Sequence, residues 1–306
     1  MEGISDPAVV RGQIKNWDSV EKVIEHLYTK TLGTDSNLLP LIYAEPTSTS
    51  EKDRFKFAEI FFEKFNIPSY FVGNECVFGV YSAGRTSSLI VDSGYAVTHA
   101  LTVNDGWIVP QTVKKLNIGG NDISNYLSEL LNDKGIDIDS QNANRLKETL
   151  SRISLDFAAE VSKRKAETYV LPDGKTINID HAQHLRCNEA YFYPGLVGCN
   201  DLGIHEMLID IMAFCDKDKE QLRSLTNFIM FTGGISFIPG LEQRILKEIN
   251  SHQANGIFTL HISEIIVIKN FYHINDFHDK LARTFLCFLN DGLNIVDTIS
   301  IYPLFL

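Results

Sequence analysis

Two short clusters in this chain have the residue types that a phosphate and a divalent cation call for. An apolar run from Ser88 to Val91 delivers Asp92-Ser93-Gly94, and a second run from Val97 to Val103 returns with Thr98 and His99. Small residues at a strand end let backbone N–H groups close on a phosphate, as in anion-binding nests, and a carboxylate beside them can hold the waters of a magnesium ion. Further on, Gly233-Gly234 follows the run Asn227 to Phe231 and precedes a helix that Pro239 opens. Glycine there removes the side chain that would block close approach of a base or a sugar. Lys147 and Glu148 stand together on an amphipathic helix, where adjacent charges ordinarily make a solvated face. Taken singly, each cluster is more often a plain turn or a wet surface. Only a scaffold that brings them together gives them chemistry.

The elements that must do so can be read from periodicity. Leu39 to Tyr43 reads as a buried strand, and Ser50 offers an N-cap to a helix with Phe55, Ala58, Phe61, Phe62 and Phe65 at helical spacing, ended by Pro68. Tyr70 to Val72 restarts a strand, a short helix runs through Val77 and Tyr81, and the Asp92 hairpin follows. A helix near Asp122 to Leu131 precedes a longer one expected over Ala143 to Ser162; Val170 to Ile179, centred on Pro172-Asp173-Gly174, reads as a hairpin. Strand-like runs alternating with helical periods predict an α/β architecture.

Composition narrows the function classes. With 306 residues, 44% of them hydrophobic, the chain can bury a sizeable core in one large or two medium domains. A net charge of -11 with no Lys/Arg block argues against direct nucleic-acid binding by phosphate neutralisation. Cys76, Cys187, Cys199, Cys215 and Cys287 are scattered and form no C-x-x-C pair, which points to reduced thiols rather than a disulfide framework or a zinc knuckle. His181 and His184, three apart without a third ligand, do not make a transition-metal site. Met1 to Asp6 lacks a signal-peptide pattern, and Asp291 and Asp297 interrupt the apolar tail from Leu281 to Leu306, so no membrane span is expected.

The order and wording of the motifs carry a resemblance. Asn16-Trp17-Asp18, Ala83-Gly84-Arg85-Thr86, Asp92-Ser93-Gly94 with Val97-Thr98-His99, Leu171-Pro172-Asp173-Gly174, Gly203-Ile204-His205-Glu206 and Gly233-Gly234 followed by Pro239-Gly240 resemble the motifs of the actin family in the family's order, from about Pro7 to about Ser251. The resemblance implies an actin-like ATPase fold: two lobes, each on a ribonuclease-H-like sheet, closing over ATP or ADP and Mg2+. It implies residues 1–118 as the remainder of an incomplete first lobe, 119–251 as the second lobe, and 252–306 as a divergent segment returning toward the first. Carried over position by position, Asp92 is the acid that positions the magnesium waters, and Ser93, Gly94 and Val97 form the second phosphate hairpin. His99 stands near the attacking water. Lys147 and Glu148 contact adenine and ribose, and Gly233, Gly234 and Phe237 close over the adenosine.

Departures from the family pattern qualify that picture. Glu75 replaces the glutamine that orients the attacking water, and Tyr95-Ala96 replaces an acid and a glycine in the phosphate hairpin. The resemblance enters just ahead of Asn16, so the first phosphate loop, its lysine and the small outer lobe are expected to be missing, and the family's closing tryptophan helix is not found beyond Ser251. Ile265 to Ile268 keeps the place of a late strand. Tyr81, Thr86 and Trp107 suit either one wall of a cleft for actin-binding proteins or ordinary packing. Three readings follow. The first is a divergent, cytoplasmic, cytoskeletal actin relative that binds adenine nucleotide, is at most a weak ATPase and does not polymerise, with actin or actin-binding proteins as partners. The second is a non-catalytic actin-related scaffold subunit of a larger complex such as a chromatin remodeller, which would be nuclear. The third is a degenerate or incompletely predicted, only partly stable product.

Overall fold

A computed structural model describes residues 8–162, 166–171, 174, 176–218, 224–254, 264–267 and 300–302. The chain divides into two compact units, which separate between Thr86 and Ser87.

Unit 1 opens with a hairpin of β1 (Val9–Val10) and β2 (Gln13–Ile14), turned through Arg11 and Gly12 at positive φ. Helix α1 (Trp17–His26) is capped by Asn16, whose side chain accepts from the Ser19 N–H. Strands β3 (Leu41–Glu45) and β4 (Tyr70–Asn74) pair in parallel, and the described segment Ser300–Tyr302 adds in parallel to the other edge of β3. Between β3 and β4 runs α2 (Glu51–Glu59), N-capped as expected by Ser50, which accepts from the Asp53 N–H. Its continuation, Ile60 to Lys64, widens into a π-helical turn in which the Phe65 N–H reaches the Ile60 carbonyl. At 3.6 residues per turn Phe57, Ile60, Phe61 and Phe65 share one helix face and Phe55 and Phe62 lie on the opposite one. Phe57, Ile60, Phe61 and Phe65 form the unit's core with Val20, Ile24, Tyr43 and Ile67, whereas Phe55 and Phe62, expected inward, are 74% and 45% exposed. Helix α3 (Glu75–Ser82) closes the unit, capped by Asn74.

Unit 2 is built on a mixed sheet. Strands β5 (Ser88–Ser93) and β6 (Thr98–Asn104) are the expected hairpin, extended at the edge by β7 (Trp107–Ile108) and β8 (Lys114–Leu116), which both pair with β6. Helices α4 (Gly120–Asn132), α5 (Ser140–Leu150) and the short α6 (Phe157–Val161) lead to an antiparallel pair, β9 (Ala166–Val170) with β10 (Thr176–Asp180). That pair is the expected hairpin, although Pro172 and Asp173 lie outside the described residues. After α7 (His181–Glu189) and α8 (Ile204–Asp218), β11 (Phe228–Gly233) inserts in parallel beside β5, and β12 (Glu264–Val267) pairs in parallel with the far side of β11. Helix α9 (Leu241–Ala254) packs between these last two strands in sequence.

The units divide between Thr86 and Ser87 and again between Lys269 and Asn270, whereas the expected first lobe ran to residue 118. Leu89, Ile90 and Val91 lie in register with Ile229, Met230 and Phe231, so the Asp92 hairpin belongs to the same sheet as the Gly233 strand. One face of that sheet, with Leu89, Val91, Ala100, Leu116, Ile229 and Phe231, packs on buried side chains of α4, α8 and α9 such as Leu127, Leu208 and Ile245. Each fully buried side chain of this size contributes about 1.5–3 kcal/mol.

The helix expected over Ala143 to Ser162 is broken. It ends at Leu150, because the segment after it makes tertiary hydrogen bonds that helical geometry would forbid. The Ile153 N–H donates to the Pro239 carbonyl (2.8 Å), the Asn188 amide to the Arg152 carbonyl (3.1 Å) and the Arg244 guanidinium to the Ser154 carbonyl (2.7 Å). Pro239 also does not open α9. It follows a 3-10 turn over Gly234–Phe237, and the helix begins at Leu241.

Candidate nucleotide site

The parallel register of β5 and β11 decides where the sequence clusters meet. Ser93 lies opposite Gly233 and Asp92 opposite Thr232, so the turn after Asp92 and the glycine pair leave the same carboxyl edge of the sheet side by side. Ligands of open α/β sheets settle at that edge.

Across the hairpin, Asp92 faces His99, and His99 faces Lys115 on β8. Residues directly opposite share a face with Cβ atoms about 5 Å apart, so Thr232, Asp92, His99 and Lys115 form one polar row across four strands. Among the described residues, the Asp92 carboxylate meets no hydrogen-bond donor or ion-pair partner, and desolvation pushes its pKa up to about 6. His99 is only 2% exposed, and its Nε2 meets no hydrogen-bond partner among the described residues. Burial, and then the Lys115 ammonium, hold its pKa down to about 4, so the imidazole is neutral at physiological pH. A half-buried carboxylate without a cation and a buried ring nitrogen without a partner are both costly, and a hydrated cation with an ordered water would satisfy both.

Ser93 takes part differently from its neighbours. Its hydroxyl is buried in a chain that runs from the Tyr191 hydroxyl through Ser93 to Thr98 (2.7 Å), and Thr98 donates to the Ile118 carbonyl (2.8 Å). Only the Ser93 backbone is left for a ligand. The turn itself is fastened by the Gly94 N–H, which donates to the Val97 carbonyl (3.0 Å). The Val97 N–H finds no acceptor among the described residues. A Cβ on Gly94 would meet nothing closer than 3.8 Å, and one on Gly234 nothing within 4 Å, so both face open space. Gly233 is glycine for another reason. It sits at φ +80°, and a Cβ would lie 2.2 Å from the Ser93 carbonyl oxygen. Phe237, beyond it, is 47% exposed.

Lys147 joins this edge through a loop that sequence reasoning missed. Its Nζ donates to the Gly120 carbonyl (2.7 Å) and to Asn144 Oδ1 (2.9 Å), and burial lowers its pKa against the opposing pull of Glu148. The Gly120 N–H in turn donates to the Gly94 carbonyl (3.0 Å). Gly119 has no room for a side chain, since a Cβ would lie 2.4 Å from the Tyr95 carbonyl oxygen. The signal for this loop was present in the chain as a second Gly-Gly between a strand and a helix. Glu148 is exposed, and its Oε1 accepts from the Asn144 amide (2.8 Å).

Glu75 lies in unit 1 at the first turn of α3, where its Oε1 accepts from the Thr47 N–H (3.1 Å). Trp107, on the edge strand of unit 2, is 80% exposed, while Tyr81 in unit 1 is half-buried. Among the described residues, no group of three His, Cys, Asp or Glu side chains could hold a metal ion directly, and no helix is long and apolar enough to cross a membrane.

Ten of the eleven expected site residues thus lie at or near one sheet edge of unit 2 or on the helix tied to it, Ser93 with its hydroxyl turned inward, and Glu75 belongs to unit 1. Comparison with protein families gives one match, to the family model described as Actin, over residues 4–144 and 140–267.

Proposed function

Since the chain belongs to the actin family, whose fold generally binds nucleotide and Mg2+, we propose that it binds ATP or ADP with magnesium at the carboxyl edge of β5 and β11, and that binding rather than turnover is its function. The observation that carries this reading is the polar row of Asp92 and His99, a half-buried carboxylate and a buried imidazole nitrogen that meet no hydrogen-bond partner among the described residues, next to a turn with an unused N–H. Asp92 would hold the cation through water. The Val97 N–H would donate to a phosphate oxygen at the Ser93-Gly94 turn, where Gly94 leaves open space for it, with Lys147 and Glu148 toward the ribose and base, and Gly233, Gly234 and Phe237 toward the adenosine. The bound ion supplies charge neutralisation for the phosphates.

His99, neutral and buried, is fit to accept a hydrogen bond from a water and so to order it. Weak hydrolysis follows from Glu75. Glu75 stands where the family pattern has a water-orienting glutamine, and a carboxylate that already accepts from the Thr47 N–H is a poorer orienter of water than a free amide. The cellular setting that fits this reading is cytoplasmic and cytoskeletal, with actin or actin-binding proteins as partners. The fate of Glu75 also supports a second reading, a non-catalytic actin-related scaffold subunit of a larger, nuclear assembly in which nucleotide is structural or dispensable.

Calorimetry of purified protein with Mg-ATP, Mg-ADP and ATP in excess EDTA tests the proposal. Magnesium-dependent binding of micromolar strength is expected, with turnover far below the ordinary range of enzymes. Absence of heat in all three titrations would reject the nucleotide reading and favour the scaffold. Magnesium-independent binding of equal strength would reject the role of Asp92.

A further inference from the structure

The turn from Gly94 to Val97 and the loop from Gly119 to Asp122 are laced together in a way that involves Tyr95, one of the departures from the family pattern. Two backbone bonds run between them, Gly120 N–H to the Gly94 carbonyl (3.0 Å) and Asn121 N–H to the Tyr95 carbonyl (2.8 Å). The Tyr95 side chain adds a third, its hydroxyl donating to Asn121 Oδ1 (2.8 Å). The ring therefore does not fill the space in front of the turn but lies over the neighbouring loop, 64% exposed. Behind that loop stands Lys147, whose ammonium is held by the Gly120 carbonyl. Below it, the Asp122 carboxylate accepts from the Gly119 N–H (2.9 Å) and fixes the start of α4.

We propose that Tyr95 is a positioning residue of the nucleotide site. Through its hydrogen bond to Asn121 it clasps the phosphate turn to the Gly119–Asp122 loop, and so holds the free Val97 N–H and the Lys147 ammonium at a fixed separation. The inference rests on the proposed nucleotide reading. Its physical basis is preorganisation. An N–H and an ammonium on two loops engage two ends of one ligand without loss only if the loops do not move relative to each other. The clasp supplies that restraint from the solvent side, where the two backbone bonds do not reach. Gly119, with backbone atoms of Tyr95 and Ala96 within 2.5 Å of any added Cβ, supplies it from the inside.

The test measures binding and release of a fluorescent ATP analogue with magnesium for the unaltered protein, Tyr95→Phe, Asn121→Ala and the double variant, together with the melting temperature of each. Loss of one hydrogen bond that orders a site corresponds to about a five- to tenfold weakening. Each single variant is expected to release the analogue about five- to tenfold faster with an unchanged melting temperature, and the double variant no faster than either alone. That non-additivity is a signature a merely structural surface residue would not give. If the unaltered protein binds and Tyr95→Phe releases at the same rate, or if the two substitutions add, the clasp is not a positioning device. If the unaltered protein does not bind at all, the nucleotide reading itself fails, and the inference falls with it.

Discussion

The opposed ionisation of Asp92 and His99 makes a prediction that needs no ligand. Burial moves the Asp92 carboxyl from its ordinary 3.8 to about 6, and burial with Lys115 moves the His99 imidazole from 6.5 to about 4. At about 1.4 kcal/mol per tenfold change in proton affinity, each displacement corresponds to roughly 3 kcal/mol. The signs differ. Between pH 4 and 6 the folded chain keeps the Asp92 proton that the unfolded chain has released, so this group makes stability fall as pH rises, and its full penalty persists above 6. Between pH 6.5 and 4 the unfolded chain takes up a proton on His99 that the folded chain refuses, so this group makes stability fall as pH drops, and its contribution is complete above 6.5. In the native sequence the two slopes nearly cancel. Asp92→Asn should unmask the histidine, giving ligand-free protein that gains up to roughly 3 kcal/mol at pH 7 and loses the gain toward pH 4. His99→Gln should unmask the carboxyl, giving protein whose stability declines from pH 4 to 6. Urea unfolding in EDTA, followed by circular dichroism at half-unit pH steps, reads both slopes. Asp92→Asn unchanged in midpoint at pH 7, or the two variants sloping the same way, would refute the claim that the row is buried without partners. The stabilised Asp92→Asn protein should at the same time bind Mg-ATP at least about tenfold more weakly, because a carboxylate kept at a folding penalty is kept for a cation.

Three further outcomes follow from the packing. Gly233→Ala should destabilise the protein by at least about 2 kcal/mol in thermal unfolding, since the new Cβ meets the Ser93 carbonyl at a positive φ. Arg244→Ala should cost about 3–5 kcal/mol in urea, because it leaves the Glu189 carboxylate, only 5% exposed, without the guanidinium that bonds both its oxygens at 2.9 and 3.0 Å. On α2, Phe57→Ala should cost about 3–5 kcal/mol while Phe55→Ser stays within about 0.5 kcal/mol, since Phe57 shares the buried face of Phe61 and Phe65 and Phe55 does not.

Much of the site was legible because its chemistry is local. Asp92, Gly94 and His99 are joined by one hairpin whose strands and turn are written in adjacent residues, and Gly233-Gly234 marks its own turn by composition. The second glycine pair, Gly119-Gly120, carried the same mark and was passed over. Tyr95 read only as a replacement in the phosphate hairpin, and its hydroxyl is spent on Asn121, a partner 26 residues away that no spacing rule connects to it.

What the residues determine by themselves is the set of pieces. Apolar runs, caps such as Asn16 and Ser50, and glycine turns act over a few residues, so strand, helix and turn follow from short-range sterics and hydrogen bonding. Tertiary structure alone decided the rest. The parallel pairing of Ser88–Ser93 with Phe228–Gly233 across about 140 residues places Asp92 and Gly233 at one edge and draws the unit boundary at Ser87. The hydrogen bond from Ile153 to Pro239 ends a helix that periodicity would have continued. In each case a contact distant in sequence outweighs local preferences, because the energy of burial and of satisfied backbone groups exceeds the few tenths of a kcal/mol by which neighbouring residues favour one conformation over another.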